Sequence, residues 1–173
     1  MNPLEHLEHR LGYSFNDQGL LTRALTHRSQ GAKNYERLEF LGDALLGVVI
    51  AETLYKKFET ANEGQLSRLR SSIVRKETLA RVARALNLGE HLLLGPGELK
   101  SGGFNRDSIL SDVLEAIIGG IYLEVGHDVA AARIADWFST ELASLSLSQT
   151  QKDPKTRLQE YLQARALAPP EYK

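Results

Sequence analysis

The chain is most constrained by the stretch Glu36–Asp43, ERLEFLGD, which sets carboxylates at positions 36, 39 and 43 in a run of apolar residues that continues through Ala44, Leu45, Leu46, Val48, Val49 and Ile50. Intervals of three and four residues put side chains on one face of an α-helix. Glu36, Glu39 and Asp43 therefore project together from a helix otherwise suited to burial. Burying carboxylates is costly unless a cation meets them. A chain that folds around this segment must bring either Lys or Arg side chains or a metal ion to the stripe.

A second acid pair repeats the theme. Asp112-Val113-Leu114-Glu115 places two carboxylates three residues apart in another apolar helix, one turn before Gly119-Gly120. Cβ atoms at that spacing lie ~5–6 Å apart. Gly42 stands beside Asp43 in the matching position. A glycine inside a helix costs roughly 1 kcal/mol against Ala, which makes sense where two helices approach closely. The expectation is that the helix of Glu39 and Asp43 packs on the helix of Asp112 and Glu115, so that four carboxylates converge in one cleft. For either pair alone, solvated acids paired to nearby bases are the simpler reading. Two such sets, each in an apolar glycine-bearing helix, favour a cation.

Four converging carboxylates cannot all stay ionised without a counter-charge. All-oxygen donors select Mg²⁺ or Mn²⁺ over zinc, and no His stands at ligand spacing in either helix, which argues against a di-iron carboxylate bundle. A hard cation held this way suits phosphate chemistry. One metal lowers the pKa of a water nucleophile, and a second, ~3.5–4 Å away, steadies the leaving oxygen.

The charge layout points the same way. Net charge is −1, yet residues 65–84 hold six basic side chains against one acid, and residues 36–63 hold six acids against three bases. Bases attract a polyanion and acids hold the cation, although a basic helix face merely in solvent has the same composition. The 173 residues, 42% apolar and 25% charged, suit one domain with a short appendage. With no cysteine, disulfides, thiolate metal sites and a thiol nucleophile are excluded. The start lacks a basic then apolar leader and no apolar run approaches a membrane span, so the expected location is cytoplasmic, away from the membrane.

Helical periodicity runs nearly throughout, and no strand alternation is evident. Helices are expected at about 3–11, 17–26, 35–58, 64–74, 77–87, 107–125 and 128–145, with a stop at Asn87-Leu88-Gly89 and loops at 92–97 and 100–105. Lys76 is odd, standing where a helix-ending Gly or Asn is expected. The fold class is all-α. Residues 1–146 form the main body, the polar stretch 147–152 a linker, and 153–173 a separate element. There Asp153-Pro154 supplies an N-cap and an N1 proline to a helix with Leu158, Tyr161 and Leu162 on its apolar face.

ERLEFLGD followed by Ala44-Leu45-Leu46 resembles the signature of the bacterial ribonuclease III family. Leu25–Ser29 (LTHRS), Glu63–Ser67 (EGQLS), Gly95–Phe104 (GPGELKSGGF) and Ser111–Gly119 (SDVLEAIIG) resemble further family segments in the family's order. Lys152–Gln163 (KDPKTRLQEYLQ) is similar to the entry into its double-stranded-RNA-binding domain. The resemblance implies an all-helical catalytic domain acting as a homodimer. The family cuts both strands of double-stranded RNA, as in rRNA precursors, using Mg²⁺ (with Mn²⁺ as a substitute), and leaves 5′-phosphates, 3′-hydroxyls and short 3′ overhangs. Glu39, Asp43, Asp112 and Glu115 match the catalytic metal-binding quartet. Glu36 and Glu63 match auxiliary acids near the same cleft, Glu63 as an auxiliary metal residue and Glu36 on the RNA side. Phe40 matches an apolar knob that docks into the partner subunit. His27 and Arg28, with Ser29, are expected to orient groups or contact phosphate. Lys100 and Arg106 flank a glycine-rich loop suited to an RNA groove. Thr156, Gln159 and Gln163 share a helix face that in the family reads the minor groove. The complete family enzyme continues through three strands and a second basic helix beyond the matched segment, which implies weaker RNA affinity for this chain. A binding module that recognises duplex RNA without cutting it is the alternative.

Overall fold

The computed structural model describes residues 3–150 and 154–165. Ten α-helices among these residues run in chain order as α1 (Pro3–Leu11), α2 (Gln18–Ala24), α3 (Glu36–Lys57), α4 (Glu63–Val74), α5 (Lys76–Ala85), α6 (Pro96–Lys100), α7 (Asp107–Val125), α8 (His127–Trp137), α9 (Ser139–Ala143) and α10 (Pro154–Ala164). Three 3₁₀ turns join them, at Leu88–His91, Gly103–Asn105 and Leu147–Thr150. The described residues contain no strand. A single parallel bridge pairs Thr26 with Leu93, in keeping with the all-α expectation. None of these helices is long and apolar enough to cross a membrane.

Helix α7 is the axis of the fold. From Ile109 to Ile121 it is buried on nearly all sides, as its continuous apolar run demands. Helix α3 lies along it and contributes Leu38, Leu45, Leu46, Val49, Ile50 and Leu54 to the same core. The two cross where Gly42 faces Gly119. Helix α5 covers another side of α7 with Leu79, Val82 and Ala83, and α2 and α8 also pack against it.

The ends of these helices follow local chemistry. Asp17 caps α2 by accepting from the Gly19 and Leu20 amides at 2.9 and 3.2 Å. A reciprocal capping box between Asn62 and Gln65, both bonds 2.9 Å, starts α4. Asn87 takes a left-handed conformation, φ 60°, just after α5, so the expected stop is where the helix ends.

Four details differ from the sequence reading. The α4–α5 break is made by Arg75 in extended conformation, φ −69° and ψ 149°; negative φ needs no glycine, which accounts for Lys76 opening α5 directly. The expected loop at 92–97 passes into a short helix, because Pro96 at the first helical position pre-sets φ and the Leu99 amide donates to the Gly95 carbonyl at 3.0 Å. The expected helix 128–145 is two, broken at Phe138. That break seats Phe138 fully in the core while the Trp137 indole donates to the Leu11 carbonyl at 3.1 Å. Finally, residues 147–150 of the expected linker form a turn against α4, held by Arg68 Nε donating to the Thr150 carbonyl at 3.1 Å.

Candidate metal centre

The close crossing of α3 and α7 decides where the acids go. Glu39 lies three residues before Gly42, and the backbone of Glu115 sits directly against Gly42. The carboxylates carried by these two helices are thereby pressed together. One oxygen each from Glu39, Asp112 and Glu115 lies within 4.8 Å of the other two. Glu115 is 8% exposed, and Glu39 and Asp112 are half-buried.

The electrostatics record the strain. Desolvation, then the charges of Asp43, Glu39 and Asp112, push the Glu115 carboxyl up to about 8. Desolvation, then Asp112, Glu36 and Asp43, raise Glu39 to about 7. Asp112 is raised as well, again chiefly by burial, but hydrogen bonds from Tyr35 and Ser111 and the charges of Lys76 and His27 oppose the rise. Among the described residues, no Lys or Arg comes within salt-bridge distance of Glu39, Asp112 or Glu115. Three clustered carboxylates short of positive charge, offering oxygen donors alone, fit a hard divalent cation.

The other expected residues spread around this centre. Asp43 is exposed at its edge. Its oxygens fall outside the group of three, yet its charge acts on both Glu115 and Glu39. Glu36 is exposed, 3.9 Å from the exposed Arg28 guanidinium. Glu63 is the first residue of α4; it lines a concavity with Ala51 and Tyr55 and accepts from Ser67 at 2.6 Å. Its carboxylate is not among the three that cluster. Lys100 is exposed at the end of α6. Arg106 is tied to Glu98 at 2.9 Å and to Ser101 at 3.1 Å. Phe40 points outward, 80% exposed. Gln159 and Gln163 are exposed on α10; the side chain of Thr156 lies outside the described residues.

Two residues of the site carried no recognised signal. Tyr35, 3% exposed, donates its hydroxyl to Asp112 Oδ2 at 3.3 Å. It is the N-cap of α3, four residues before Glu39, and that spacing does not report its bond to Asp112, 77 residues away. Behind it packs His27, 7% exposed, its ring centroid 5.8 Å from that of Tyr35. His27 Nδ1 accepts from the Ser29 amide at 3.1 Å and lies 2.8 Å from Ser29 Oγ, which accepts from the Gly95 amide at 2.9 Å. The second is Lys76, close enough to lower Asp112. Outer partners of ligating carboxylates commonly change metal affinity 10–100-fold. Tyr35→Phe is expected to keep the fold and weaken Mn²⁺ binding roughly tenfold, read by titration of the free ion with electron paramagnetic resonance. Unchanged affinity would remove Tyr35 from the site.

The model of a family described as Ribonuclease-III-like matches residues 17–142. The chain is 59% identical over 169 residues to Ribonuclease 3 of Hahella chejuensis, covering 98% of this chain and 75% of the relative. To Ribonuclease 3 of Ectopseudomonas mendocina it is 60% identical over 173 residues, covering 99% and 76%. Its fold is similar to the crystallised nuclease domain of ribonuclease III from Campylobacter jejuni, with a TM-score of 0.80 and 44% identity over 84% of this chain and all of that one. A second structure of that domain, concerned with flexibility in the region involved in dimer formation, superposes with a TM-score of 0.78 at 46% identity, covering 79% of this chain and 96% of that one.

Proposed function

We propose that this chain, which belongs to the ribonuclease III family, uses Mg²⁺ to hydrolyse double-stranded RNA at the cluster of Glu39, Asp112 and Glu115, with Asp43 completing the metal-binding set. The chain is an endoribonuclease of that family. The observation that carries the finer reading is the approach of three carboxylates from two helices to within 4.8 Å, with no Lys or Arg among the described residues within salt-bridge distance of them. A divalent cation held there would neutralise phosphate charge and generate a water nucleophile near neutral pH.

The chain's own residues do the rest. Tyr35 fixes the Asp112 carboxylate by donating to one of its oxygens. His27, buried and packed on the Tyr35 ring, supports that orientation. Exposed Arg28, Lys100 and Arg106, with Glu36 beside Arg28, contact phosphate and ribose in this reading. In this reading residues 1–146 are the catalytic domain, 147–152 the linker, and 153–173 belong to an RNA-binding domain, with Thr156, Gln159 and Gln163 as its minor-groove contacts. Products carry 5′-phosphates, 3′-hydroxyls and short 3′ overhangs. A long duplex is expected to be cut in Mg²⁺ or Mn²⁺ and to stay intact in EDTA, while single-stranded RNA of the same sequence survives both. An intact duplex in Mg²⁺ would make the chain a binder instead.

Phe40 supports a homodimer. An 80% exposed Phe on a helix bordering a groove lined by Leu38, Leu41 and Leu123 is a large apolar surface for a lone chain. Two copies could bury one Phe in the groove of the other, and Glu63 would then be free to serve the partner's cleft. Phe40→Asp is expected to halve the mass seen by analytical ultracentrifugation. A variant that sediments as wild type would exclude this contact.

A further inference from the structure

A second concavity lies apart from the carboxylate cluster and shares no residue with it. It has a volume of about 260 Å³ and opens between α4, α5, α9 and the turn Leu147–Thr150. Three arginines line it, Arg68, Arg75 and Arg81, against one carboxylate, Glu141.

The arginines are held in a particular way. Arg68 spends its Nε on the carbonyl of Thr150, itself buried, at 3.1 Å. Arg75 spends its Nε on the hydroxyl of the buried Thr78 at 3.3 Å, and that hydroxyl donates in turn to the Ser72 carbonyl at 2.9 Å. Their Nη groups make no hydrogen bond among the described residues. Arg81 reaches Glu141 only at 3.8 Å, with the Arg81 side chain 58% exposed and Glu141 15%. Two forks are thus fixed at the stem with their ends free, and a third is loosely restrained. Guanidinium ends presented this way match the geometry of phosphate oxygens, which a planar fork can take two at a time. Glu141 is the complementary element: an acceptor in a basic pocket rewards a ligand that brings a hydroxyl donor beside its phosphate. The volume lies just below the usual range of small-ligand sites.

We propose that this pocket is a binding site for a ribonucleotide phosphate, taken by Arg68, Arg75 and Arg81, with a sugar hydroxyl donated to Glu141. Two sources offer that chemistry, a free mononucleotide and one nucleotide of an RNA strand. Either would tie α9 and the turn 147–150 to α4 at the place where the chain leaves the catalytic core. The inference does not depend on metal chemistry at the carboxylate cluster.

The test is a titration of the full chain with AMP, followed through the amide resonances of Thr78 and Ser144, beside duplex RNA binding measured in EDTA across a salt series. Two variants are compared with wild type. Arg81→Gln removes an exposed charge, and Arg75→Lys keeps the charge while losing the fork. Both should melt as wild type does. Saturable AMP shifts confined to the pocket and weakened roughly tenfold or more in both variants establish the site. If the RNA salt slope is then unchanged, the ligand is a free nucleotide. If instead the slope falls by about one in Arg81→Gln, with or without AMP binding, the ligand is the RNA strand. No saturable AMP shift together with an unchanged slope overturns the proposal, as does AMP affinity that both variants retain while the slope is unchanged.

Discussion

Gly42→Ala is expected to cut stability by more than about 3 kcal/mol, beyond the usual cost of overpacking and a large share of what a domain this size has to lose. The added Cβ would lie 1.7 Å from the Glu115 carbonyl oxygen, 2.6 Å from its carbon and 3.0 Å from the Gly119 nitrogen. All three are backbone atoms of α7, so no rotamer change relieves the clash and the helices must separate. Gly119→Ala meets the same obstacle from the other side, with Leu38 oxygen at 2.3 Å and Gly42 nitrogen at 3.2 Å. Gly47→Ala is the control. It lies in the same helix with nothing within 4 Å of the added atom, and it should stabilise by about 0.5–1 kcal/mol through helix propensity and a less flexible unfolded chain. Urea denaturation followed by circular dichroism separates these outcomes. A Gly42→Ala midpoint close to that of Gly47→Ala would mean that the helices do not meet as described. Any folded remnant of Gly42→Ala should also bind Mn²⁺ poorly, because the same separation draws Glu39 away from Asp112 and Glu115.

The packing of the two acid-bearing helices was legible in the sequence because it rests on local rules. A glycine inside an apolar helix needs a reason, and carboxylates three residues apart share a face. What those rules do not set is how far each side chain reaches across the crossing. Asp43 follows Gly42 immediately and so turns about 100° from it, toward the rim of the cleft, while Glu39 and Glu115 enter it. Tyr35 was missed for a related reason. Its bond to Asp112 spans 77 residues, and no periodicity reports a contact between segments so distant. His27 was noticed but its burial was not foreseen, since that depends on the Thr26–Leu93 bridge and the Ser29–Gly95 hydrogen bond. The break at Phe138 belongs to the same class. Sequence shows an unbroken helical pattern there, and only the demand to bury Phe138 while turning Trp137 toward α1 interrupts it.

Glu115→Gln is expected to lower cleavage of duplex RNA by about 10³-fold or more, some 4 kcal/mol of transition-state stabilisation, while making the metal-free protein more stable at alkaline pH. The opposite signs follow from one cause. The Glu115 carboxyl titrates at about 8 in the folded chain, against an ordinary value of 4.5, and Glu39 at about 7. Between roughly pH 4.5 and 8 the unfolded chain therefore releases protons that the folded chain still holds. Stability falls with rising pH wherever the folded state binds more protons, so the metal-free wild type should weaken across this window. Glu115→Gln removes the largest contributor without changing shape. It should flatten the profile and exceed wild type at pH 8 by roughly 1–2 kcal/mol, once solvent screening at the open cleft is allowed for. A divalent cation reverses the ranking, because it favours the ionised carboxylates and displaces their protons. Mg²⁺ or Mn²⁺ should raise the melting temperature of wild type, more at pH 8 than at pH 6, and leave Glu115→Gln nearly unmoved. Melting curves at pH 6 and 8, in EDTA and in Mn²⁺, test each step. A variant less stable than wild type in EDTA at pH 8 would show that Glu115 holds the fold together rather than standing in it at a cost. Undiminished cleavage by the variant would place the chemistry somewhere other than the crossing of α3 and α7.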